Sequence, residues 1–184
     1  MTLDQVRFSL AMLEVSGFSP VARVDATVLI LGSMPGVRSL EKQQYYAQLR
    51  NVFWTIMGRL FKAGVDLPYE ERLNVLKRNG IALWDVLRNC ERPGSLDSSI
   101  NESTAEPNDF EIFFGQHDQI HQIFFNGLTA SKIYLRKVQP NLGPQFASIP
   151  YVVLPSTSPA HASMTLDGKA EKWSTIGDHL QDWR

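Results

Sequence analysis

The residues best suited to chemistry in this chain follow a short apolar run at residues 29–31. The loop directly after that run reads Gly-Ser-Met-Pro-Gly at residues 32–36. Tyr45, Tyr46 and Asn51 come next, just before an apolar segment with helical spacing. Aromatic faces and one amide near the carboxyl end of a parallel strand form the kind of pocket that a flat, polar ring needs. These residues are a first indication that the chain binds a nucleobase.

A second candidate loop follows another apolar run and reads Pro-Ser-Thr-Ser-Pro-Ala-His at residues 155–161. Hydroxyl groups between two prolines make a rigid loop with several small hydrogen-bond donors. Such a loop suits the phosphate oxygens of a nucleic-acid backbone. No spacing of His, Cys, Asp or Glu resembles a metal site, so we expect none.

Each of these features also has a plainer interpretation. Residues 32–36 fit the turn after the first strand of any α/β sheet, and the two tyrosines fit the boundary of a core. Asn51 is a favoured helix cap, and the final loop with His161 fits a polar surface loop. The glycine-containing loop is neither a P-loop nor a dinucleotide-binding loop, because it lacks the residues that define those motifs.

The elements that must position these residues alternate between strand and helix. Apolar runs that predict buried strands occupy residues 26–31, 80–84, 122–125 and 149–154. Segments with helical spacing occupy residues 53–63, 69–78, 109–117 and 129–138. This order predicts an α/β fold in which right-handed crossovers place helices on both faces of a parallel sheet.

The remaining segments give weaker signals. Apolar residues recur at three- and four-residue spacing near the carboxyl terminus and predict one further helix with an apolar stripe, formed by Leu166, Ala170, Trp173, Ile176, Leu180 and Trp183. Residues 1–22 fit either a short helix or an extended lead-in. Residues 91–107 form the one long polar loop, and a loop of that length is often functional.

Composition sets broad limits on the class of protein. With 184 residues, 43% of them hydrophobic and 20% charged, the chain is most simply one globular domain covering residues 1–184. The 18 Lys and Arg residues balance the 19 Asp and Glu residues, so net charge argues neither for nor against nucleic acid. A single cysteine, Cys90, excludes an intramolecular disulfide and a four-cysteine cluster. Without a signal peptide or a membrane-spanning run, the chain is expected to be cytoplasmic and to have no membrane partner.

Together, the two loops resemble the two signature motifs of the uracil-DNA glycosylase superfamily. The resemblance is greatest to its hypoxanthine-DNA (deoxyinosine) glycosylase branch and to the mismatch-specific uracil glycosylases. The matching pieces run from residue 32 to residue 161 and read GSMPGVRS, YYAQLRNVFW, GIALWDVL, GSLDSSI, FNG and LPSTSPAH. The resemblance implies a three-layer α/β/α sandwich around a four-stranded parallel sheet. It also implies hydrolysis of the N-glycosidic bond of a damaged base in DNA, without a cofactor.

The resemblance also implies roles for residues that would contact the base. Asn51 matches the catalytic asparagine of the deoxyinosine branch, and Ser33 lies where the uracil-excising enzymes carry their acidic water activator. The backbone amides at Ser33 and Met34 would face the base or the water. Tyr46 would stack on the flipped base, and Asp85 would read its N–H edge, although a capping role is an equal alternative for Asp85.

Residues of the final loop would lie near the base and the DNA backbone. Ser156 takes the place of a histidine or asparagine near the base carbonyl. Ser158 would contact phosphate, as would Ser39 from the first motif. Ala160 and His161 complete the expected DNA contacts, and Ala160 stands where relatives insert a wedge into the emptied stack.

Some positions depart from the pattern of this branch. Gln48 and Leu49 stand where relatives have His-Pro, and His161 stands where they have asparagine. No acidic residue occurs in the first loop, which predicts a slow enzyme or one that depends on a good leaving group.

The leading interpretation is a monofunctional DNA glycosylase that removes hypoxanthine, with uracil as a second candidate base. Monofunctional action is expected because no lysine occurs in either motif to form a Schiff base. Its partner would be DNA with a deaminated or mismatched base, and a monomer is the simplest state. Two alternatives are a non-catalytic module that binds damaged or mismatched DNA and a hydrolase of free nucleosides.

Overall fold

The computed structural model describes residues 14–181, and a four-stranded parallel sheet lies at its centre. The strands are β1 (Glu14–Ser16), β2 (Val28–Gly32), β3 (Ile81–Asp85), β4 (Leu87–Glu91), β5 (Glu106–Pro107), β6 (Gln122–Asn126) and β7 (Tyr151–Leu154). The α-helices are α1 (Val37–Lys42), α2 (Phe53–Phe61), α3 (Tyr69–Arg78), α4 (Phe110–Gln116), α5 (Leu128–Lys137), α6 (Pro144–Ala147), α7 (Leu166–Trp173) and α8 (Thr175–Gln181). Short 3₁₀ turns cover Asp97–Ser99 and Gln139–Asn141.

The strand order of the central sheet is β3-β2-β6-β7, with all neighbours parallel. In β2, Val28 pairs with Ile81 on one side and with Gln122 on the other. The chain runs outward from β2 to β3 and then returns across β2 to β6. This reversal opens a crevice at the carboxyl ends of β2 and β6, which is where open α/β sheets bind their ligands.

Helices cover both faces of this sheet, which confirms the predicted α/β/α class. Successive residues of β2 point to opposite faces because the side chains of a strand alternate. Val28 and Ile30 belong to a core cluster shared with α2, α3, α7 and α8. Leu29 and Leu31 belong to the cluster on the other face, shared with α4 and α5. All four side chains are fully buried, which is why this run carries no polar residue.

Two details differ from the sequence-based expectations. The strand at residues 149–154 is not covered on both faces, because β7 is an edge strand that leaves Tyr151 and Val153 exposed. The predicted C-terminal helix is two helices, α7 and α8, that meet at Ser174, whose hydroxyl donates to Glu171 O at 2.7 Å. Serine competes in this way with the helical backbone pattern. Trp183 lies outside the described residues.

The polar segment at residues 91–107 is partly folded. It begins in β4 and ends in β5, and these strands join β1 in a small antiparallel sheet of order β1-β4-β5. The chain before β2 is extended where it is described, since β1 pairs with β4 and Val21 bridges Leu83. No helix within residues 14–181 is long and apolar enough to cross a bilayer.

Candidate functional site

A cavity of about 530 Å³ opens at the carboxyl ends of the parallel strands. The ten residues that the sequence proposed all line this one cavity: Ser33, Met34, Ser39, Tyr46, Asn51, Asp85, Ser156, Ser158, Ala160 and His161. They come from six separate parts of the chain. The fold therefore brings the two candidate loops together, as the strand order requires.

Asp85 ends β3 and lies at the buried side of the cavity. It is 3% exposed, and its Oδ2 atom has no hydrogen-bond partner among the described residues. Burial, followed by the negative charge of Asp97, raises the pKa of Asp85 from 3.8 to about 7, against the opposing effect of Arg92. Asp85 approaches the neighbouring strand so closely that a Cβ at Gly32 would collide with its Oδ1 atom. The glycine at position 32 is what allows a carboxyl group to reach the cavity here.

Asp97 is a second carboxylate at the cavity, and the sequence interpretation assigned it no role. Its Oδ1 accepts a hydrogen bond from Ser33 Oγ at 2.7 Å. Burial raises the pKa of Asp97, whereas the Ser33 hydrogen bond and the positive charge of Arg92 oppose that rise. A carboxylate thus lies beside the first loop even though that loop contains none.

Arg92 fastens the segment that carries Asp97 to the first loop. Its side chain is 1% exposed, and its guanidinium donates to the carbonyl oxygens of Met34, Pro35 and Gly94. Ser95 adds a further link, because its Oγ accepts from Val37 N–H at 2.9 Å. Five-donor guanidinium groups suit this task of satisfying several carbonyls at once.

Tyr45 and Tyr46 both line the cavity, but Tyr45 is the more deeply buried of the two. Tyr45 is buried in the core, donates to Ser19 O and accepts the indole N–H of Trp54 at its carbonyl. Tyr46 lines the cavity and stacks on Phe53, with ring centroids 3.9 Å apart and planes 23° apart. Its backbone has φ of 55°, in the left-handed region that non-glycine residues seldom adopt.

Asn51 caps a helix and also lines the cavity. Its Oδ1 accepts from Phe53 N–H at 3.0 Å, so it caps the start of α2. The residue is only half buried and also lines the cavity. Because the side-chain oxygen is used by the cap, the amide NH₂ is the group that remains to donate to a ligand.

Residues of β6 and α7 form hydrogen bonds with the final loop and hold it in place. Asn126, the last residue of β6, accepts from Thr157 N–H and donates to Thr157 Oγ1, each at 2.9 Å. The indole of Trp173 donates to Pro155 O at 3.0 Å, and the buried ammonium of Lys169 donates to His161 O at 2.7 Å. Thr157 O in turn accepts from Val52 N–H at 3.1 Å, which joins the final loop to the first motif.

The expected DNA-contacting residues differ in accessibility. Ala160 and His161 are exposed, and Ser158 is half buried. Ser39 is 5% exposed, and its hydroxyl accepts from Ala47 N–H at 3.2 Å. Its side chain thus holds the turn that leads to Tyr46.

Sequence reasoning assigned no role to Asp97, Arg92, Asn126 or Thr157. Asp97 and Asn126 lie within pieces that resemble the family, but neither has a local pattern that marks it. Asp97 is 64 positions from its partner Ser33, so only the folded chain shows the contact. Across residues 14–181, no group of three or more His, Cys, Asp or Glu side chains is arranged to hold a metal.

Comparison with known proteins identifies relatives of this chain. Residues 19–178 match the family model of the Uracil DNA glycosylase superfamily. A hypoxanthine DNA glycosylase from Methanosarcina acetivorans is 34% identical over 166 residues, which cover 89% of this chain and 98% of that protein. A hypoxanthine DNA glycosylase from Methanosarcina barkeri is 40% identical over 114 residues, which cover 60% of this chain and 70% of that protein.

A solved structure shows the same architecture. The solution NMR structure of a protein from Methanosarcina acetivorans, described as a uracil DNA glycosylase, matches with a TM-score of 0.74. It is 32% identical, and the match covers 91% of this chain and 99% of that one. Both candidate loops and every strand of the central sheet fall within the matched residues 19–178.

Proposed function

Because this chain belongs to the uracil DNA glycosylase superfamily and is a hydrolase of N-glycosyl bonds that acts on deaminated bases in DNA, we propose that its preferred base is hypoxanthine. The two relatives named as hypoxanthine DNA glycosylases support this choice of base. The observation that carries the proposal is the single cavity in which an aromatic ring, an amide and a buried carboxyl group meet between the two motif loops.

Recognition begins with extrusion of the target nucleotide. A base inside a duplex is out of reach, so it must leave the stack, at a cost of roughly a few kcal/mol that is smaller for a poorly paired base. A cavity of about 530 Å³ has room for a nucleobase with its sugar. The Tyr46 ring at the wall is proposed to stack on the flipped base.

Asp85 is proposed to read the base. Its Oδ2 atom is buried without a hydrogen-bond partner among the described residues. A hydrogen bond from a ligand would therefore remove the free-energy penalty of a buried, unpaired acceptor. An ionised carboxylate can accept from N1–H of hypoxanthine or from N3–H of uracil. Ser156, in the opposite loop, is proposed to donate to the base carbonyl.

Asn51 is proposed to act on the departing base or on the attacking water. Its NH₂ group is the donor that remains after the cap to Phe53 is formed. The N–H groups of Ser33 and Met34 are proposed to donate toward negative charge that develops on the leaving base. These groups lower the barrier because they are in place before the bond breaks.

DNA binding is proposed to involve the outer rim. Ser158, Ala160 and His161 lie on the final loop at this rim, and Ser39 supports the turn on the other side. We also propose that the protein acts as a monomer on DNA in the cytoplasm. The absence of lysine from both loops supports a monofunctional reaction that leaves an abasic site.

The test is base release from end-labelled oligonucleotides that carry one hypoxanthine or one uracil, single-stranded or paired. Alkali then cuts the abasic sites. We expect cleavage at hypoxanthine. Cleavage at uracil alone would keep the enzyme class and change the base. Binding without cleavage on each substrate, by protein shown to be folded, would favour a non-catalytic damage-binding module, and cleavage of free inosine alone would favour a nucleoside hydrolase.

Replacing Asn51 tests the catalytic assignment. We expect Asn51→Ala to lower single-turnover base release about 100-fold, a typical effect of removing one preorganised donor. The same change removes the cap to Phe53 and costs about 1 kcal/mol of stability. Asn51→Asp keeps a capping oxygen and loses the NH₂ group, so it separates the two effects. Base release by Asn51→Ala at the wild-type rate would show that the assignment is wrong.

A further inference from the structure

The proposed reaction leaves one step without a residue, namely the acceptance of a proton from the attacking water. Asn51 is a weak candidate because an amide is not a base and because its oxygen already accepts from Phe53 N–H. The first loop contributes only the hydroxyl of Ser33 and backbone groups. A carboxylate that reaches this part of the cavity from elsewhere in the chain would fill the gap.

Asp97 has the required position. It lines the cavity, and its Oδ1 atom is fixed at 2.7 Å by the hydroxyl of Ser33, which belongs to the first loop. Arg92 and Ser95 hold the intervening segment against that loop and the start of α1 through three hydrogen bonds, to Met34 O, to Pro35 O and from Val37 N–H, so these contacts fix the position of the carboxylate. Asp85 shares the cavity, but it is fully buried at the end of β3, where it suits the base.

We propose that Asp97, oriented by Ser33, is the group that activates water for N-glycosidic hydrolysis; this inference rests on the proposed function. The C1′–N9 bond breaks, and its electron pair leaves with the base, which takes a proton from solvent. The oxygen of water forms a bond to C1′, and its proton passes to the carboxylate of Asp97, which later returns it to solvent. The carboxylate charge also stabilises the positive charge on the sugar before water attacks.

Several charged and titratable groups surround Asp97 and set its response to pH. Asp85 on β3 and Tyr46 line the cavity with Asp97, whereas Arg92 on its own segment and Cys90 on β4 are buried outside that lining and interact with Asp97 electrostatically. A smaller cleft on the other side of Asp97 is lined by Glu102, Lys132 and Arg136. Burial raises the pKa of Asp97 from its ordinary value. Because the ionised form is the active one, the rate of base release should fall as pH decreases through that pKa.

The experiment compares Asp97→Asn with Glu102→Gln in single-turnover base release between pH 5 and pH 9. Asparagine keeps an oxygen that can accept from Ser33 but cannot take a proton from water. Glu102 is an exposed residue of the same segment that pairs with Arg136, so its substitution is a matched control. Binding is measured in parallel with a hypoxanthine nucleotide that carries 2′-fluorine, which resists cleavage.

We expect Asp97→Asn to lower the rate at least 100-fold, with less than a threefold change in binding, and to abolish the acid limb of the pH profile. Asp97→Glu should restore part of the rate. Ser33→Ala should lower the rate about tenfold and shift the acid limb to higher pH, because it removes the hydrogen bond that opposes the rise in the pKa of Asp97. If Asp97 had only a structural role, Asp97→Asn would lower the rate but leave the acid limb of the pH profile unchanged.

The outcomes separate this inference from the proposed function. If the wild-type protein releases no base from any substrate, the proposed function fails. If the wild type is active and folded Asp97→Asn releases hypoxanthine within threefold of its rate with the same pH profile, only the role of Asp97 is overturned.

A different observation concerns how the protein holds DNA open. Leu49 is 93% exposed, and it lies on the turn between Gln48 and Arg50, which both line the cavity. The turn is held by Asn51 N–H donating to Gln48 O at 2.8 Å and by Arg50 N–H donating to Gln48 Oε1 at 3.0 Å. An aliphatic side chain is thus held out in water at the rim of the cavity.

We infer that Leu49 is the wedge that enters the base stack when the target nucleotide moves into the cavity; this too rests on the proposed function. Leucine is a residue type that proteins insert between bases, where its apolar surface leaves water. Ala160, exposed on the opposite rim, has only a methyl group for that purpose. Leu49, next to the first motif, would then enter the base stack in place of a large side chain in the final loop.

The test compares Leu49→Ala with Val24→Ala, a substitution at a residue that is 71% exposed in the turn before β2, at the other end of the sheet. We expect Leu49→Ala to lower base release about tenfold on paired hypoxanthine and less than twofold on a single strand, with no effect of Val24→Ala. Equal effects on paired and single-stranded substrates, or no effect on either, would overturn the wedge. Absence of release by the wild type from both the paired and the single-stranded substrate would instead count against the proposed function.

Discussion

At the scale of single residues, Asp85 shows a conflict between stability and the proposed function. Its carboxyl group is buried, one of its oxygens has no partner among residues 14–181, and Asp97 adds a like charge nearby. A carboxyl group in these surroundings favours its neutral form. A base that donates an N–H to it would supply the missing partner. The buried carboxyl group therefore makes the fold less stable than a neutral, hydrogen-bonded side chain at this position would.

Replacing Asp85 should make the protein more stable and less active. The pKa of Asp85 is raised from 3.8 to about 7 in the folded state, so its contribution to stability is complete below pH 3.8 and is lost as pH rises to about 7. Asparagine stays neutral at every pH. The free energy of unfolding of Asp85→Asn should therefore exceed that of the wild type increasingly between pH 4 and pH 8, by up to about 4 kcal/mol. Urea unfolding at several pH values measures this difference.

Base release by the same variant completes the test. If Asp85 accepts from the N–H edge of the base, Asp85→Asn should release hypoxanthine more slowly while it unfolds at higher urea concentration. A variant that is stabilised and fully active would contradict the proposed reading of the base by Asp85. A constant stability difference across this pH range would contradict the raised pKa.

At the scale of elements, α7 positions the final loop without lining the cavity. Trp173 is fully buried, and its indole N–H is the link between this helix and Pro155 O. Trp84 makes an equivalent bond to Phe18 O at 2.9 Å, but it belongs to the core cluster on the other face of the sheet. Of these two indole–carbonyl bonds of similar length, only the Trp173 bond holds the final loop of the candidate site.

These two tryptophans allow a matched comparison. Trp173→Phe and Trp84→Phe each remove one hydrogen bond and a little core volume, so each should cost about 1–3 kcal/mol of stability. Only Trp173→Phe should also lower base release, by about tenfold, because the loop that carries Ser156 and Ser158 loses an anchor. Thermal unfolding and single-turnover rates measure the two effects. Equal rates in the two variants would show that α7 does not position the loop.

The strands and the site residues show how much of the structure the sequence could predict. Continuous apolar runs such as residues 29–31 marked the central strands, because strands buried on both faces carry no polar residues. The residues of the two motif loops were proposed as site residues because those loops resemble the signature motifs of the uracil-DNA glycosylase superfamily. The short strands β1 and β5 were missed because a two- or three-residue strand has no period to detect, and the five-residue β4 was missed because its sequence, LRNCE, has no continuous apolar run. Asp97 was missed as a site residue because its contact with Ser33 forms only in the fold.

At the scale of the whole molecule, charge limits how DNA can be held. The chain has 18 Lys and Arg residues against 19 Asp and Glu residues, so no general positive field attracts a polyanion. Electrostatic binding must come from a few cations near the cavity. Arg38 and Arg50 both line it, but Arg38 is paired with Glu41 at 3.0 Å. Arg50, exposed beside Leu49, is left as the stronger candidate for a phosphate contact.

This charge balance predicts a weak dependence of DNA binding on salt. Each neutralised phosphate contributes about −0.9 to the slope of log K against log salt, so contact with two or three phosphates gives a slope of about −2 to −3. Arg50→Gln should make that slope smaller in magnitude by about 1 and weaken binding equally for hypoxanthine-containing and undamaged duplexes. Arg23→Gln, which removes a similar cation that pairs with Asp25 in the turn before β2, should leave the slope unchanged. Fluorescence anisotropy titrations between 50 and 200 mM salt measure the slopes. A steep wild-type slope, or equal slopes for the two variants, would mean that DNA contacts a different face of the protein.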